Sequence, residues 1–456
     1  MTRVGHAVAL AMGSISLCPP ALGLGVHLRT GSEADGESAE CGTPAMTFPE
    51  FIKKFDKGYE PGSKEYAERE ALFASRAAHV AEHNCEQRGP WEATVNHLAD
   101  WTDAELQQLR GHVRNWGASA TAGFSTGLSS PSADMVSDGE KWPRIFHHKQ
   151  ENPLSKYPSA FSWSNLTSIK EEKNQGQCGS CWAFASDTVL RSHAEIAGRD
   201  HQFSVSQIVS CAPNPKHCGG TGGCKGSTAE LAFEYVMHAG LVSATEFPYP
   251  TGGGKDVCPP SMATPEKETV TPFRLTEDGS EVHSWSSSDS RHKNWNNIGM
   301  TGWTKLPENK EDSLVRALVE SGPVAIAVSA GFEWNFYWRG VMNHKACDKD
   351  HVINHAVVLF GYGEDYSQRY WLIKNSWGSH WGEKGNLRLE RTKEEEKACG
   401  WDRKPQMGSG CDGGPKEVWV CGTCGILYDT VIPHFLPAAG GAANLAQHRG
   451  QHRWLR

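Results

Sequence analysis

The chain has no run of about 18 clean apolar residues, so no segment reads as a membrane-spanning helix. It has no excess of positive charge: 45 Lys and Arg stand against 53 Asp and Glu, a net charge of −8. A nucleic-acid partner wants a basic face, so that class is set aside. No internal repeat is present, which removes the solenoids. What is plentiful points elsewhere. Hydrophobic residues make up 38% of the 456, enough for a sizeable core. Forty-eight glycines and 17 tryptophans suit a loop-rich, aromatic-rich fold better than a helical bundle. At ~150 residues per unit the length suggests about three units.

The N-terminus differs from the rest. Arg3, the apolar run Ala7–Leu17 and the small residues Ala21 to Gly23 read as a signal peptide over 1–23. There are 14 cysteines. Without Cys18, which lies in that segment, the count is odd, and one free thiol is expected if the others pair in an oxidising compartment.

A leader runs over 24–46. Phe48, Phe51, Ile52, Phe55 and Tyr59 then follow a helical period, and Tyr66, Phe73, Ala77 and Val80 mark a longer helix over 63–88. Thr102 to Glu105 is a capping box, with Gly111 where that helix would stop. A helical unit is thus expected over 47–112. From Gly117 to Glu140, 17 of 24 residues are Gly, Ala, Ser, Thr or Pro. Such a stretch cannot offset its ordering entropy, so 113–156 reads as a linker open to proteolysis.

From 157 to 437 the pattern is globular. Ser180 is placed to cap a helix from Cys181 to Ala197, and Ser227 to Glu230 reads as a second capping box. Later segments, Val324–Val328, Ala356–Phe360, Tyr370–Lys374 and Leu387–Glu390, are strand-like. A helical first half and a strand-rich second half imply two lobes with a cleft between them. Residues 259–300 and 397–423 read as insertions, and 438–456 as a disordered basic tail.

The chemistry concentrates in a few short motifs. In the stretch from Lys173 to Phe184, KNQGQCGSCWAF, Cys181 stands in the first turn of a helix, where the N-terminus favours a thiolate. His355, in INHAVV, is a candidate proton carrier. Asn375, in KNSWG, is placed to accept from its second ring nitrogen, and Gln175 to donate an amide to a developing oxyanion beside the Cys181 N–H.

On these motifs the chain resembles the papain-like cysteine peptidases. Cys178 to Trp182 reads CGSCW, with matching His and Asn segments in order downstream. The Cys181-to-His355 interval exceeds the ~130–150 residues usual there, and the 259–300 insertion accounts for the excess. The resemblance implies an α+β, two-lobe papain-like fold, with a helical N-terminal lobe and a β-barrel-like C-terminal lobe, preceded by a small helical pro-domain. Glu65, Arg69, Phe73, Val80 and Asn84 fall at the spacing of the family's inhibitory pro-helix, although Arg76 replaces its usual Asn. Asn96 to Asp100 resembles the turn that follows.

It also implies roles. Cys181 is the nucleophile, His355 the acid/base, Asn375 its orienter and Gln175 the oxyanion donor. Gly226 and Ser227 border the substrate backbone, although the family usually has Gly at the position of Ser227. Trp377 shields the His–Asn contact. Asp429, five residues after Cys424, lies at the floor of the pocket for the second residue before the cut and is expected to take Arg there. The implied disulfides are Cys178–Cys224, Cys211–Cys258 and Cys347–Cys424, with Cys41–Cys85 in the pro-segment. Cys181 is then the odd thiol, and the pairing of Cys218, Cys399, Cys411 and Cys421 stays open. Asn165 heads a glycosylation sequon.

The competing readings are a zinc site or redox pair from the two C-x-x-C runs, which leaves the Gln, His, Asn and Trp motifs without a role. Another is an exopeptidase in which an insertion blocks one end of the cleft. A third is a binding homologue with a dead site, whose mark would be loss of Cys, His or Gln. The expectation is a cysteine endopeptidase made as a zymogen, entering the secretory pathway and acting as a monomer. Its partners would be protein and peptide substrates and its own pro-segment, with no cofactor or metal and no nucleic acid.

Overall fold

The computed structural model describes residues 46–86, 89–111, 154–199, 201–250, 253–254, 257–263, 273–276, 278–284, 298–365 and 368–436. The expected signal segment, nearly all of the leader, the linker from 113 to 153, the tail and Cys41 lie outside them.

The N-terminal unit comprises α1 (Phe48–Lys54), α2 (Lys64–Glu86), β1 (Trp91–Ala93) and α3 (Asp103–Gln108). Its aromatic period brings Phe48 and Phe51 of α1 onto Phe73 of α2, with ring centroids 5.4 and 4.9 Å apart. Thr102 and Glu105 form the capping box: the Thr102 hydroxyl accepts from the Glu105 N–H at 3.2 Å, and the Glu105 carboxylate accepts from the Thr102 N–H at 2.7 Å. The same carboxylate takes the Arg69 guanidinium on both oxygens, at 2.6 and 2.9 Å, which ties α3 to α2. Lys57 and Tyr59 converge on the buried Asp100 at 2.9 and 2.8 Å.

The rest of the chain forms β2 (Phe161–Ser162), α4 (Thr167–Lys170), α5 (Cys181–Ile196), α6 (Val205–Cys211), α7 (Ala229–Ala239), β3 (Phe273–Leu275), β4 (Glu281–Ser284), β5 (Met300–Lys305) and α8 (Glu311–Glu320). Then come β6 (Val324–Val328), β7 (Tyr337–Met342), β8 (His355–Asp365), β9 (Gln368–Lys374), β10 (Asn386–Glu390), β11 (Cys399–Asp402), β12 (Val418–Cys421) and β13 (Asp429–Phe435). Helix α5 is buried on nearly every side, because it lies between the other helices and the sheet.

The sheet runs β1-β7-β10-β9-β8-β6-β13-β5-β4-β3, with β2 paired to β8. It is an open ladder rather than a closed barrel. The N-terminal unit supplies its first edge strand: β1 pairs antiparallel with β7, Trp91 opposite Gly340. A Cβ on Gly340 would lie 2.3 Å from the Pro90 carbonyl oxygen, so only glycine admits the added strand so closely.

Two local expectations change. Residues 259–300 are not wholly a surface insertion, since β3 and β4 pair in series onto β5. Val282 is buried, and the buried His283 stacks on Trp303 with centroids 3.8 Å apart. Ser227 does not cap α7. The N-cap is Thr228, and Glu230 turns inward to Lys305. An inward cation outcompetes a solvent-facing capping box for that carboxylate. The 397–423 segment folds as a β11–β12 hairpin, stapled by Cys399–Cys421.

Candidate active site

Helix α5 begins at Cys181, so the Sγ sits where first-turn N–H groups converge. Cys178, bonded to Cys224, holds the preceding loop. Across from it, β8 begins at His355, and the backbone N–H of the next residue, Ala356, points at the Cys181 sulfur. The loop after β9 carries Asn375, Ser376 and Trp377. His355 Nε2 lies 2.9 Å from Asn375 Oδ1. An amide oxygen only accepts, so Nε2 carries the proton and the tautomer is set. Trp377 covers the pair with its ring centroid 4.8 Å from the imidazole. All four side chains are buried.

Gln175 is fixed on both sides. Its Oε1 accepts from the Ser376 hydroxyl at 2.6 Å, and its backbone N–H donates to the Ser376 carbonyl at 2.8 Å. Its Nε2 donates to the carbonyls of Cys178 and Leu109, both at 2.8 Å. Leu109 belongs to the N-terminal unit. Just past α3 that unit enters the cleft, and its peptide carbonyl occupies the donor of Gln175.

Gly111 completes the approach. It has φ +72°, and a Cβ there would stand 2.8 Å from the Cys181 Sγ and 3.0 Å from the Gly179 carbonyl oxygen. Opposite, a Cβ on Gly226 would fall 1.5 Å from the Gly111 carbonyl oxygen. Backbone therefore meets backbone over the sulfur. Burial pushes the Cys181 thiol up to about 11, against the lowering supplied by the Ala356 and Trp182 N–H groups. The expected helix-terminal thiolate is thus overridden by desolvation while the strand is in place.

Ser227, Glu230, Ala327, Ala356, Ser409 and Asp429 line a small pocket beside the cleft. Asp429 does not present an isolated carboxylate there. Lys305 Nζ lies 3.6 Å from its Oδ1 and 3.2 Å from Glu230 Oε1. Burial and the neighbouring Glu230 hold the Asp429 carboxyl well above the usual range, while Glu230, beside Lys305, is held below it despite its own burial. Asp429, Glu230 and Lys305 thus form an internal ion cluster at this pocket. Glu230 and Lys305 were missed because the pattern of α7 reads as a capped surface helix, and nothing in β5 announces an inward lysine.

The remaining disulfides are Cys211–Cys258, Cys347–Cys424 and Cys218–Cys411. Cys181 is the free cysteine among the described residues. Asn165 is exposed in the turn before α4. No cluster of His, Cys, Asp or Glu suited to a metal occurs among the described residues, nor any helix long and apolar enough to cross a membrane.

Comparison with known proteins gives two family matches. The papain family cysteine protease pattern spans residues 157–409, and the cathepsin propeptide inhibitor domain spans residues 48–106. A cathepsin L-like protein of Caenorhabditis elegans is 28% identical over 361 residues, covering 76% of this chain and 89% of its own length. Cathepsin K of Gallus gallus is 29% identical over 327 residues, 70% of this chain and 79% of that protein. Digestive procathepsin L 3 from the larval midgut of Tenebrio molitor shares the fold with a TM-score of 0.56 at 23% identity, covering 85% of this chain and 97% of that one.

Proposed function

The chain belongs to the papain family of cysteine proteases, and we propose how its residues divide the work of a cysteine endopeptidase made as a zymogen. Once the inhibitor strand leaves, the Cys181 sulfur attacks the scissile carbonyl carbon. Its proton passes to His355 Nδ1, the ring nitrogen that Asn375 does not engage. The tetrahedral oxyanion takes the place of the Leu109 carbonyl, against the Gln175 amide and the Cys181 N–H. His355 gives the proton to the leaving amine, and a thioester remains. Water, deprotonated by His355, then releases the acid and restores the thiol. Trp377 keeps bulk water from the His355–Asn375 contact.

The observation that supports this reading is the Gln175–Leu109 hydrogen bond, in which a peptide carbonyl of the inhibitory segment accepts from the Gln175 amide. The test is alkylation with peptide mapping on mature, unreduced enzyme. Cys181 should take the label, and Cys181→Ala should lose peptidase activity while keeping the fold. Label chiefly on another cysteine would sink the assignment.

At the pocket floor we propose that Lys305 neutralises part of the acid, so preference for Arg over Leu at the second residue before the cut is modest. Asp429→Ala should lower the Arg/Leu ratio of kcat/KM about two- to fivefold, the scale of a partly neutralised ion contact. An unchanged ratio would remove Asp429 from the pocket. Entry into the secretory pathway is supported by the five disulfides among the described residues, which need an oxidising compartment.

A further inference from the structure

The hairpin insertion of the sheet lobe is joined to the helical lobe by a covalent bridge. Cys411, between β11 and β12, is bonded to Cys218, which lies in the loop between α6 and Cys224. Hydrogen bonds run alongside. The Gly219 N–H donates to the Gly410 carbonyl at 3.2 Å, the Asp412 N–H donates to the Lys216 carbonyl at 2.8 Å, and His217 Nδ1 lies 2.7 Å from Asp412 Oδ2.

Both feet of this strap rest on the rims of the cleft. On the helical side, a Cβ on Gly226 would lie 2.2 Å from the Gly219 carbonyl oxygen, so Gly219 abuts the residue that faces the inhibitor strand. Asn214 braces that loop: its amide donates to the Cys218 and Gly220 carbonyls at 2.8 and 3.1 Å, and its oxygen accepts from the Cys218 N–H at 2.8 Å. On the sheet side, the Ser409 N–H donates to the Ile353 carbonyl at 2.8 Å, two residues before His355. Ser409 also lines the pocket that holds Asp429. The strap therefore crosses from rim to rim beside that pocket.

We propose that the Cys218–Cys411 strap ends the cleft just past this pocket, so the enzyme reads two residues on the amino side of the scissile bond and gains nothing from a third. A longer substrate leaves the cleft there and runs into solvent, which still permits internal cleavage. This rests on the reading of Cys181 as nucleophile and of the pocket as the place of the second residue.

The test uses the mature enzyme and N-acetylated peptide coumarylamides that share their last two residues and carry two, three or four residues in all. In wild type, kcat/KM should change less than about twofold along the series, because no further contact is realised in the transition state. In Cys218→Ser/Cys411→Ser it should rise about fivefold or more with length, as the third position opens. A comparable rise in wild type overturns the proposal, and so does a flat series in the double variant. Should that variant fail to fold, cleavage-site profiling of a peptide library by wild type decides. Selection at the second position with none at the third supports the strap, and selection at the third overturns it. The underlying reading fails differently: no substrate is cleaved beyond the rate of Cys181→Ala, or the first strong selection lies at a position other than the second.

Discussion

The inhibitory segment is held in two unlike ways. Its globule is knit by charge: Arg69 on Glu105, Lys57 and Tyr59 on Asp100, Arg76 on Asp103. Its cleft strand, Leu109 to Gly111, is held by backbone fit, with one amide on the Leu109 carbonyl and the Arg110 guanidinium donating to the Gly331 carbonyl at 3.0 Å. No ion pair between side chains holds those three residues among the described contacts. The globule docks mainly through the β1–β7 ladder and the Asn96 amide on the Asn335 carbonyl at 2.8 Å. Acid therefore acts on the globule's own fold and, at the interface, on the His79–Glu333 contact, while the cleft strand is kept in place by the high effective concentration its attachment gives it.

The sharpest way to break the comparison is at Gly111. Gly111→Val adds a branched side chain at positive φ, where even a Cβ would press on the Cys181 sulfur. The strand should leave the cleft while the globule stays docked. Alkylation of Cys181 in the unprocessed chain should speed up by about a hundredfold, as a thiol pushed up to about 11 falls back toward the ordinary ~8.5. Circular dichroism should hardly change. An unchanged labelling rate would mean that Gly111 does not guard the thiol.

Glu105→Ala attacks the other half. It removes the carboxylate half of the capping box, on the Thr102 N–H and hydroxyl, and the bidentate partner of Arg69, and should cost the globule about 2–3 kcal/mol. Urea unfolding of Cys181→Ala proform should show an earlier first transition, with the peptidase transition in place. A single unshifted transition would argue that the globule has no independent stability.

The pH dependence has two signs. The Arg69 hydrogen bonds, aided by the Thr102 cap, hold Glu105 down to about 2 in the folded chain. A depressed carboxylate stabilises above its unfolded value, ~4.3, and that support is lost as pH falls toward about 2. His79, 3.1 Å from Glu333 of the peptidase, has the reverse sign. The Glu333 hydrogen bond raises its pKa, so its support is full below ~6.5 and fades as pH rises through the raised value. Docking of the segment on Cys181→Ala enzyme should tighten from pH 8 to 6 and loosen below about 4. Monotonic weakening from pH 8 downward would exclude His79 from the interface energetics.

Much of the site could be read from residue order. CGSCW placed Cys181 at a helix start, and INHAVV placed His355 at a strand start, because helical periods and apolar runs are local signals; Ser180 stands at the N-cap position but makes no capping hydrogen bond, its hydroxyl lying 2.9 Å from that of Tyr249. The meeting of Glu230 and Lys305 beside Asp429 could not be read, since it depends on α7 packing against β5. The pairing of Cys218 with Cys411 is likewise set by a hairpin whose strands, Cys399–Asp402 and Val418–Cys421, are separated by a Gly-rich turn without strong alternation. Ser376 and Tyr249 also escaped notice. They bind Gln175, at Oε1 and at its backbone carbonyl, and position its amide; Ser376 stands inside the KNSWG run that was read for Asn375, and Tyr249 has no motif of its own.

The smallest expected effect tests whether charge matters at the docked edge at all. Glu92 of β1 meets Arg339 of β7 at 2.9 Å, on side chains 47% and 55% exposed. Solvent screens such a pair, and its net worth is about 0.5 kcal/mol or less. The ladder beneath it does not depend on these side chains, because Trp91 opposite Gly340 and Glu92 opposite Arg339 are joined through their backbones. Glu92→Gln should thus weaken docking of the segment on Cys181→Ala enzyme by no more than about twofold, and raising salt should erase even that difference. Trp91→Ala, which strips a buried ring from the same strand, should cost at least tenfold. If Glu92→Gln proved as costly as Trp91→Ala, the docked edge would be electrostatic, and the contrast between a charged globule and a shape-held interface would fail.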